Sequence, residues 1–340
     1  MNFKKIVFTE PWKVQFQEGV FTDKIESPDE VIIKNLYSQV SPGSELACLA
    51  GIEDWFKIPG IPGYTAVGEV IEKGSNVTFN KGDLVFTFGP HAQYFKINIT
   101  DRWHGICVKL PDGLSGDIAS FAHLADIAIS ALRVSNIQLG DYVGVTGMGP
   151  IGNLAAQLAK LQGANVIVFD INETRLDIAR QCGLTNTINS SSKKLKDELM
   201  KMTAGKGVST LIEASVFAQV AESAMKYISQ YGEMILLGTP RAPYQTNLTA
   251  YLRDIHLFNP SITVKGALEF IIPTRSIEFV KHSKERDCAI IMNLLKEERL
   301  TVKPFYTRKV SPDQAPDIYA GLQNKKDEFI GVVFDWTDFK

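Results

Sequence analysis

The sequence feature that most constrains the fold is a glycine turn at 147–152, Gly-Met-Gly-Pro-Ile-Gly. It directly follows an apolar, β-branched run at 142–146 and directly precedes a segment at 151–162 whose apolar residues recur at helical spacing. A second apolar run at 165–169 ends at Asp170, about 20 residues after the turn begins. Glycine turns are common, but this one joins a strand to a helix and has an acidic residue after the next strand. That context predicts a βαβ unit that binds a dinucleotide.

Each residue of the turn has a separate predicted task. Gly147 permits the tight bend, Gly149 lets the backbone approach a pyrophosphate, and Gly152 lets the helix pack closely against the strand. Pro150 and Ile151 open the helix, whose unpaired amides and dipole attract phosphate charge. The turn therefore predicts a Rossmann domain with a nucleotide diphosphate at this helix N-terminus.

Asp170 favours one cofactor. Its carboxylate can accept both hydroxyls of the adenosine ribose and would repel an additional ribose phosphate, which favours NAD over NADP. Arg175, in the next predicted helix, keeps NADP as the alternative. Ala214, Gly238 and Thr239 follow the next two predicted strands and complete the predicted cofactor-binding set.

The chain divides into three regions that differ in their pattern of apolar, Gly and Pro residues. From 1 to 123, short β-branched runs are cut by Gly and Pro, as in a small antiparallel barrel or sandwich. From 124 to 267, amphipathic helices alternate with short apolar strands, which predicts parallel βαβ units. From 268 to 340, a closing strand at 330–334 needs neighbours and is expected to return to the N-terminal sheet. The predicted α/β fold is therefore a β-rich catalytic domain with an inserted Rossmann domain.

Individual elements follow from the same patterns. The predicted strands are 31–34, 66–71, 83–88, 142–146, 165–169, 209–213, 233–237 and 330–334. The predicted helices are 151–162, 173–182, 218–229, 277–284 and 288–298. The lysine-rich stretch at 192–198 is predicted to be a solvated helix face.

Charge and composition exclude several kinds of partner. The chain has 36 basic and 38 acidic residues and a formal net charge of -2, so no overall field attracts nucleic acid or an anionic membrane. No apolar run approaches the roughly 20 residues of a spanning helix, and the start of the chain lacks a signal-peptide pattern. We therefore expect a cytoplasmic protein that binds small molecules.

The cysteines do not form a metal-binding pattern. Cys48, Cys107, Cys182 and Cys288 lie far apart, without the clustered spacing of zinc sites. We interpret them as isolated thiols in a reducing compartment.

The whole chain resembles the medium-chain dehydrogenase/reductase superfamily. Besides the glycine turn, the segments that carry the resemblance are 41–45 followed by Gly51, 59–70, 109–114 and 237–240. The resemblance implies a GroES-like catalytic domain formed by 1–123 and 268–340, around a Rossmann domain at 124–267. It also implies hydride transfer with a nicotinamide cofactor.

The departures from the zinc members of that superfamily concern the metal ligands. Those members have Cys-Gly-Ser/Thr-Asp where this chain has Pro-Gly-Ser-Glu at 42–45, and Gly-His-Glu where it has Gly-Tyr-Thr at 63–65. The third ligand position falls near His123, and of the structural zinc lobe only Cys107 lies in that region. Proline cannot ligate zinc, and neutral Tyr or Thr are poor substitutes. We therefore expect neither a catalytic nor a structural zinc.

Without zinc, hydrogen bonds or a proton donor must polarise the substrate oxygen. The resemblance places Ser44, Tyr64 and His123 where the metal and proton relay would lie. Our hypothesis is that Tyr64 or His123 exchanges the proton while Ser44 orients the oxygen; a buried tyrosine with a purely structural role is the alternative. Two lesser candidates each have two interpretations. His91 lies in a segment that resembles the family's cleft edge, but a solvated turn histidine is the simpler interpretation. The resemblance places Asp126 near the nicotinamide, where it could contact substrate, but a cap of the next helix is the simpler interpretation.

Three functions remain open from the sequence. The first is an NAD-dependent dehydrogenase of a secondary alcohol in a sugar, cyclitol or similar polyol, by analogy with superfamily variants. The second is an NADPH-dependent enone or quinone reductase, against which Asp170 counts. The third is a dinucleotide-binding protein without turnover. Edge-to-edge pairing of Rossmann sheets predicts a homodimer or homotetramer.

Overall fold

A computed structural model describes residues 1–339 and divides the chain into two compact units. The first unit contains 1–123, 272–298 and the residues from 305 onward, and the second contains 124–271 and 299–304. The domain limits derived from the sequence, after 123 and after 267, stay predictions. The two units are described separately below.

The strands and helices are numbered in chain order. The strands are β1 (Asn2–Glu10), β2 (Lys13–Val20), β3 (Glu30–Gln39), β4 (Ala66–Lys73), β5 (Leu84–Thr87), β6 (Tyr94–Asn98), β7 (Cys107–Lys109), β8 (Tyr142–Thr146), β9 (Asn165–Asp170), β10 (Thr187–Asn189), β11 (Val208–Glu213), β12 (Ile228–Leu236), β13 (Thr263–Gly266), β14 (Tyr306–Val310) and β15 (Gly331–Asp335). The α-helices are α1 (Pro42–Leu49), α2 (Gly116–Ala119), α3 (Ala122–Val134), α4 (Pro150–Leu161), α5 (Glu173–Gln181), α6 (Leu195–Met202), α7 (Ala218–Ala224), α8 (Leu248–His256), α9 (Lys284–Lys296) and α10 (Ala315–Asn324).

The first unit is built on a seven-stranded sheet and a separate two-stranded hairpin of β1 and β2. The larger sheet has the order β14-β15-β3-β4-β5-β7, with β6 also paired to β3. Its pairs are antiparallel except β14 with β15. The closing strand β15 pairs with β3, placing Val333 opposite Gln39. The predicted return of the tail to the N-terminal sheet is therefore confirmed.

The second unit is a parallel six-stranded sheet in the order β10-β9-β8-β11-β12-β13. Alternating strands and helices produce this sheet, as the sequence predicts, because parallel neighbours need a crossover between them. The predicted helix at 218–229 is too long: α7 ends at Ala224, a 3-10 turn covers Met225–Tyr227, and β12 begins at Ile228. The prediction of a Rossmann-type α/β fold is confirmed.

The predicted helix at 277–284 is wrong. Ile277 and Phe279 are exposed, and Phe279 has a φ of 66°, a left-handed conformation that interrupts a helix. The Ser283 side chain instead accepts a hydrogen bond from the amide of Arg286 at 3.2 Å and caps α9. Ile277 and Phe279 do not pack against a hydrophobic core. Helical spacing of apolar residues does not stabilise a short helix without such packing.

Each unit has its own hydrophobic core. In the first unit, Phe8, Tyr319, Phe334 and Trp336 pack together, each no more than 1% exposed. The parallel sheet of the second unit has a separate core, whose buried residues include Ile167, Leu199, Leu211, Met225 and Met234. Among residues 1–339, no helix combines the length and apolarity that crossing a bilayer requires.

Candidate functional site

The glycine turn of the second unit lies between β8 and α4, with its backbone folded back on the sheet. Gly147 has a φ of 85°, which only glycine adopts readily, and its amide donates to the carbonyl of Phe169 at 2.8 Å. A side chain at Gly152 would bring its Cβ to 1.9 Å from the Gly147 carbonyl oxygen. Gly152 is therefore required for the turn to pack against the helix it precedes.

The first turn of α4 is available to an anion. Gly149 is the N-cap residue and offers no side-chain acceptor to the amides that begin the helix. A Cβ built on Gly149 would meet no atom within 4 Å, so space surrounds this backbone. The helix therefore presents unpaired amides and a positive dipole end to that open space.

Asp170 anchors the turn from the end of β9. One carboxylate oxygen accepts the amide of Met148 at 2.7 Å, and the other accepts the amide of Asn172 at 2.8 Å. Asn172 in turn caps α5 by accepting the amide of Arg175 at 3.3 Å. The two described bonds use one acceptor position on each oxygen, and a carboxylate has about four. Asp170 can therefore hold the turn and also accept ribose hydroxyls.

The ends of β11 and β12 reach the same turn. The amide of Ala214 donates to the carbonyl of Thr146 at 3.0 Å, and a Cβ on Gly147 would lie 3.1 Å from the Ser215 nitrogen. At Gly238, a Cβ would lie 1.7 Å from the Ser215 oxygen, which explains this second glycine. Thr239 follows and is exposed. The predicted cofactor residues 214, 238 and 239 thus follow the strand ends on this side of the sheet.

Glu213, which the sequence analysis did not single out, lies beside the turn. It is 1% exposed, and its carboxyl accepts the amide of Ser215 at 2.8 Å and the hydroxyl of Thr146 at 3.4 Å. Burial raises the pKa of Glu213, and the hydrogen bonds from Ser215 and Thr146 oppose that shift. Glu213 belongs to a predicted strand, and nothing in the sequence indicates that its carboxyl contacts residues beside the glycine turn.

In the first unit, the structure brings Tyr64 and His123 together. Their rings meet edge to face with centroids 5.0 Å apart, and the Nδ1 atom of His123 lies 2.9 Å from the Tyr64 carbonyl oxygen. Phe88 stacks on the imidazole at 3.7 Å and fixes its plane. Because a carbonyl only accepts, Nδ1 of His123 carries the proton of this hydrogen bond.

Ser44 and the neighbouring Glu45 lie in the first turn of α1. Glu45 is buried and accepts hydrogen bonds from the Ser41 amide at 2.7 Å and from the hydroxyl of Tyr319. His91 Nε2 lies 3.0 Å from the same carboxylate. The interpretation of His91 as a solvated turn histidine is therefore wrong, because the side chain is 0% exposed. Hydrogen bonds to neighbours distant in sequence compensate for its burial, and local sequence could not reveal them.

The cap interpretation of Asp126 is also wrong. Asp126 lies inside α3, which runs from Ala122 to Val134, and is 2% exposed. A capping residue would stand at a helix end with a non-helical backbone. A cap at Asp126 would require the helix to begin after that residue, whereas α3 already begins at Ala122.

The donor set at the family's zinc positions does not fit the metal. Pro42 has no ligating atom, and the Glu45 carboxylate already accepts from Ser41, Tyr319 and His91. His123 directs Nδ1 to a backbone carbonyl and could supply at most one nitrogen. Within 1–339, no three His, Cys, Asp or Glu side chains group as a ligand set. We therefore derive no chemical step through zinc.

The chain thus has two units: a Rossmann sheet with an open glycine turn, and a β-rich unit with a mixed sheet. The zinc-binding dehydrogenase family model matches residues 150–272. D-guloside 3-dehydrogenase of Shigella flexneri is 30% identical over 253 residues, which cover 74% of this chain and 71% of the relative. The chain belongs to the medium-chain dehydrogenase/reductase superfamily.

Solved structures agree with this assignment at the level of the fold. Galactitol-1-phosphate dehydrogenase from Escherichia coli is similar with a TM-score of 0.82 and 19% identity, over 98% of this chain and 99% of that one. Zinc-dependent alcohol dehydrogenase 2 from Streptococcus pneumonia also has a TM-score of 0.82, with 20% identity over 99% of both chains. This chain therefore has the fold of zinc-dependent members, although its own donor set differs.

Proposed function

We propose that this chain is a zinc-independent dehydrogenase that transfers a hydride between NAD(H) and a secondary alcohol or ketone of a sugar, cyclitol or similar polyol. The observation that carries the proposal is the pairing of His123 with Tyr64, in which Nδ1 of the imidazole donates to the Tyr64 carbonyl and the two rings meet edge to face. Similarity to D-guloside 3-dehydrogenase and galactitol-1-phosphate dehydrogenase supports the substrate class.

The dinucleotide would be held by the residues of the second unit. Amides at the start of α4 suit the diphosphate, and the carboxylate of Asp170 suits the adenosine ribose. The negative charge of Asp170 favours NAD over NADP. Arg175, in the first turn of α5, is the group that would oppose this preference. When bound, NAD⁺ supplies the hydride acceptor of the reaction.

The residues of the first unit would handle the proton. In alcohol oxidation the carbon loses a hydride and the hydroxyl loses a proton, so a base must receive that proton. We assign this role to His123 Nε2, because Nδ1 of the same ring donates to the Tyr64 carbonyl. The hydroxyls of Tyr64 and Ser44 would orient the substrate oxygen in place of a metal.

The test is a cofactor-coupled screen of the purified chain. NAD⁺ or NADH is combined with sorbitol, myo-inositol, a methyl glycoside, simple ketones or quinones, and nicotinamide absorbance is followed. Reduction of NAD⁺ with a polyol or glycoside supports the proposal. Oxidation of NADPH by quinones alone would instead indicate a reductase, and tight cofactor binding without turnover would indicate a non-catalytic protein.

Substitutions then separate the assigned roles. His123→Asn retains a donor for the Tyr64 carbonyl but removes the basic nitrogen, and we expect kcat to fall by about 10²–10⁴-fold. Tyr64→Phe and Ser44→Ala should cause smaller losses in kcat, with the affinity for NAD⁺ unchanged. Normal turnover in all three variants would refute the assigned chemistry.

The quaternary structure is part of the proposal. β13 is an edge strand of the parallel sheet, and edge strands of this kind pair with a second copy in closed oligomers. We expect a homodimer or homotetramer. Light scattering coupled to size-exclusion chromatography tests this expectation, and a monomer at micromolar concentration contradicts it.

A further inference from the structure

Three titratable side chains in the first unit form a hydrogen-bonded group that solvent does not reach. Glu45 and Tyr319 are each 1% exposed and His91 is 0% exposed. The Tyr319 hydroxyl donates to Glu45 Oε2, and His91 Nε2 lies 3.0 Å from the same oxygen. Such a group is costly to bury and needs complete hydrogen bonding.

Further hydrogen bonds extend this group to Trp336 and Ser38. The indole of Trp336 can only donate, and it does so to Ser38 Oγ at 2.9 Å. Ser38 Oγ lies 2.7 Å from His91 Nδ1. A carboxylate only accepts, so Nε2 of His91 donates to Glu45. Both ring nitrogens of His91 are therefore hydrogen-bonded.

Both segments that carry the candidate catalytic hydroxyls are attached to this group. The amide of His91 donates to the carbonyl of Pro62 at 2.8 Å, and its ring lies 2.7 Å from where a Cβ of Gly63 would be. Tyr64 is the next residue. On the other side, Glu45 follows Ser44 directly in α1.

Tyr319 is a fixed donor in this group. Burial raises the pKa of Tyr319 well above its usual value, and the charge of Glu45 and its hydrogen bond from the phenol add to the effect. The phenol of Tyr319 therefore stays protonated and donates to Glu45.

We propose that Glu45, His91 and Tyr319 act as positioning residues. They hold the side chains of Ser44 and Tyr64 where their hydroxyls can contact the substrate oxygen. This inference rests on the function proposed above. It assigns a role to three buried residues that would act through Ser44 and Tyr64. Small displacements of positioned groups can reduce turnover by about a hundredfold. Substitution of one of these three residues should therefore change kcat more than cofactor affinity.

The first test removes a single oxygen atom. Tyr319→Phe deletes the donor to Glu45, and Tyr306→Phe is the matched control, because Tyr306 donates to the carboxylate of Asp117 at 3.1 Å elsewhere in the same unit. With the best alcohol from the screen, we expect Tyr319→Phe to lower kcat at least tenfold and to leave the NAD⁺ dissociation constant within about twofold. The control should retain its kcat.

The second test asks for rescue. His91→Ala removes the donor to Glu45, whereas His91→Gln keeps an amide donor of similar reach. A positioning role predicts that the Gln variant recovers part of the kcat lost in the Ala variant. Equal kcat values for wild type, Tyr319→Phe and His91→Ala would overturn the proposal.

The third test does not depend on turnover. Nitrogen-15 NMR of histidine-labelled protein, with the His91 signal assigned by its loss in His91→Gln, should show a proton on Nε2 that Glu45 accepts. A His91 Nε2 that carries no proton refutes this hydrogen bond and, with it, the proposed group. If the wild type turns over no alcohol in the screen, the proposed function is refuted instead, and the NMR result still tests the hydrogen bond from His91 to Glu45.

Discussion

The carboxylate of Asp170 accepts the backbone amide of Met148 at 2.7 Å, which ties the end of one strand to the middle of the glycine turn. This bond gives one side chain two connected tasks. It holds the turn in the conformation that exposes the α4 amides, and it places a negative charge beside the expected ribose. Cofactor affinity and cofactor choice should therefore change together when Asp170 is altered.

Asp170→Asn tests that coupling. The amide oxygen can still accept from one backbone amide, but the charge that repels a ribose phosphate is lost. We expect the KM for NAD⁺ to rise by about tenfold and the preference for NAD⁺ over NADP⁺ to fall. Asp177→Asn is the control, because Asp177 lies on the exposed face of α5, paired with Arg180. An unchanged cofactor preference in Asp170→Asn would show that discrimination lies elsewhere.

Two glycine substitutions in the same turn should separate folding from binding. In Gly152→Ala, the new methyl group meets the Gly147 oxygen at 1.9 Å, and overpacking of this kind costs about 1–3 kcal/mol. This outweighs the roughly 1 kcal/mol that alanine gains over glycine inside a helix. We expect Gly152→Ala to unfold at lower denaturant concentration than wild type.

Gly149→Ala should behave in the opposite way. Its backbone has a φ of −68°, which suits alanine, and its Cβ would meet no protein atom within 4 Å. We expect near-normal stability in denaturant titrations but weaker NAD⁺ binding in calorimetry, because the methyl group occupies the space that a diphosphate needs. Normal NAD⁺ affinity in Gly149→Ala would show that the dinucleotide does not approach this backbone.

The sequence predicted the second unit well because its signals are local. The glycine turn, the strand at 142–146 and the following helix depend on neighbouring residues only, and all three are present. The helix predicted at 277–284 failed because its apolar residues are exposed, and burial is a tertiary property.

The site in the first unit could be predicted only in part. Tyr64 and His123 were chosen from the resemblance, and the structure brings their rings to 5.0 Å. Glu45, His91 and Tyr319 join through contacts that span up to 274 residues of chain. Spacing in the sequence carries no information about such contacts, which is why His91 was misinterpreted.

Chelation should not affect turnover. Since Pro42 cannot bind a metal and the Glu45 carboxylate is occupied, prolonged dialysis against dipicolinate should leave kcat unchanged. A zinc-dependent alcohol dehydrogenase treated in parallel is the positive control, and its activity should disappear. Elemental analysis of the purified chain checks the same point. Stoichiometric zinc together with loss of activity on chelation would contradict zinc independence.

Glu213 should make the folded state less stable as pH rises. Burial raises its pKa, so the folded chain binds this proton more tightly than the unfolded chain does. Its stabilising contribution is complete below the usual glutamate pKa of about 4.3 and is lost as pH rises towards the higher folded value. Within that window, the free energy of unfolding should fall by up to about 1.4 kcal/mol per pH unit.

Glu213→Gln removes this titration while keeping the shape of the side chain. We expect the variant to gain stability relative to wild type as pH rises from 4 to 7 in denaturant titrations, with the difference constant above the folded pKa. Glu222→Gln is the opposite control: the hydrogen bonds from Thr246 and Tyr244 lower the pKa of Glu222, so its contribution is lost as pH falls. The contrary result is that the free energies of unfolding of wild type and Glu213→Gln differ by the same amount at every pH. That result would mean that the pKa of Glu213 is the same in the folded and unfolded chain, because the hydrogen bonds from Thr146 and Ser215 compensate for its burial.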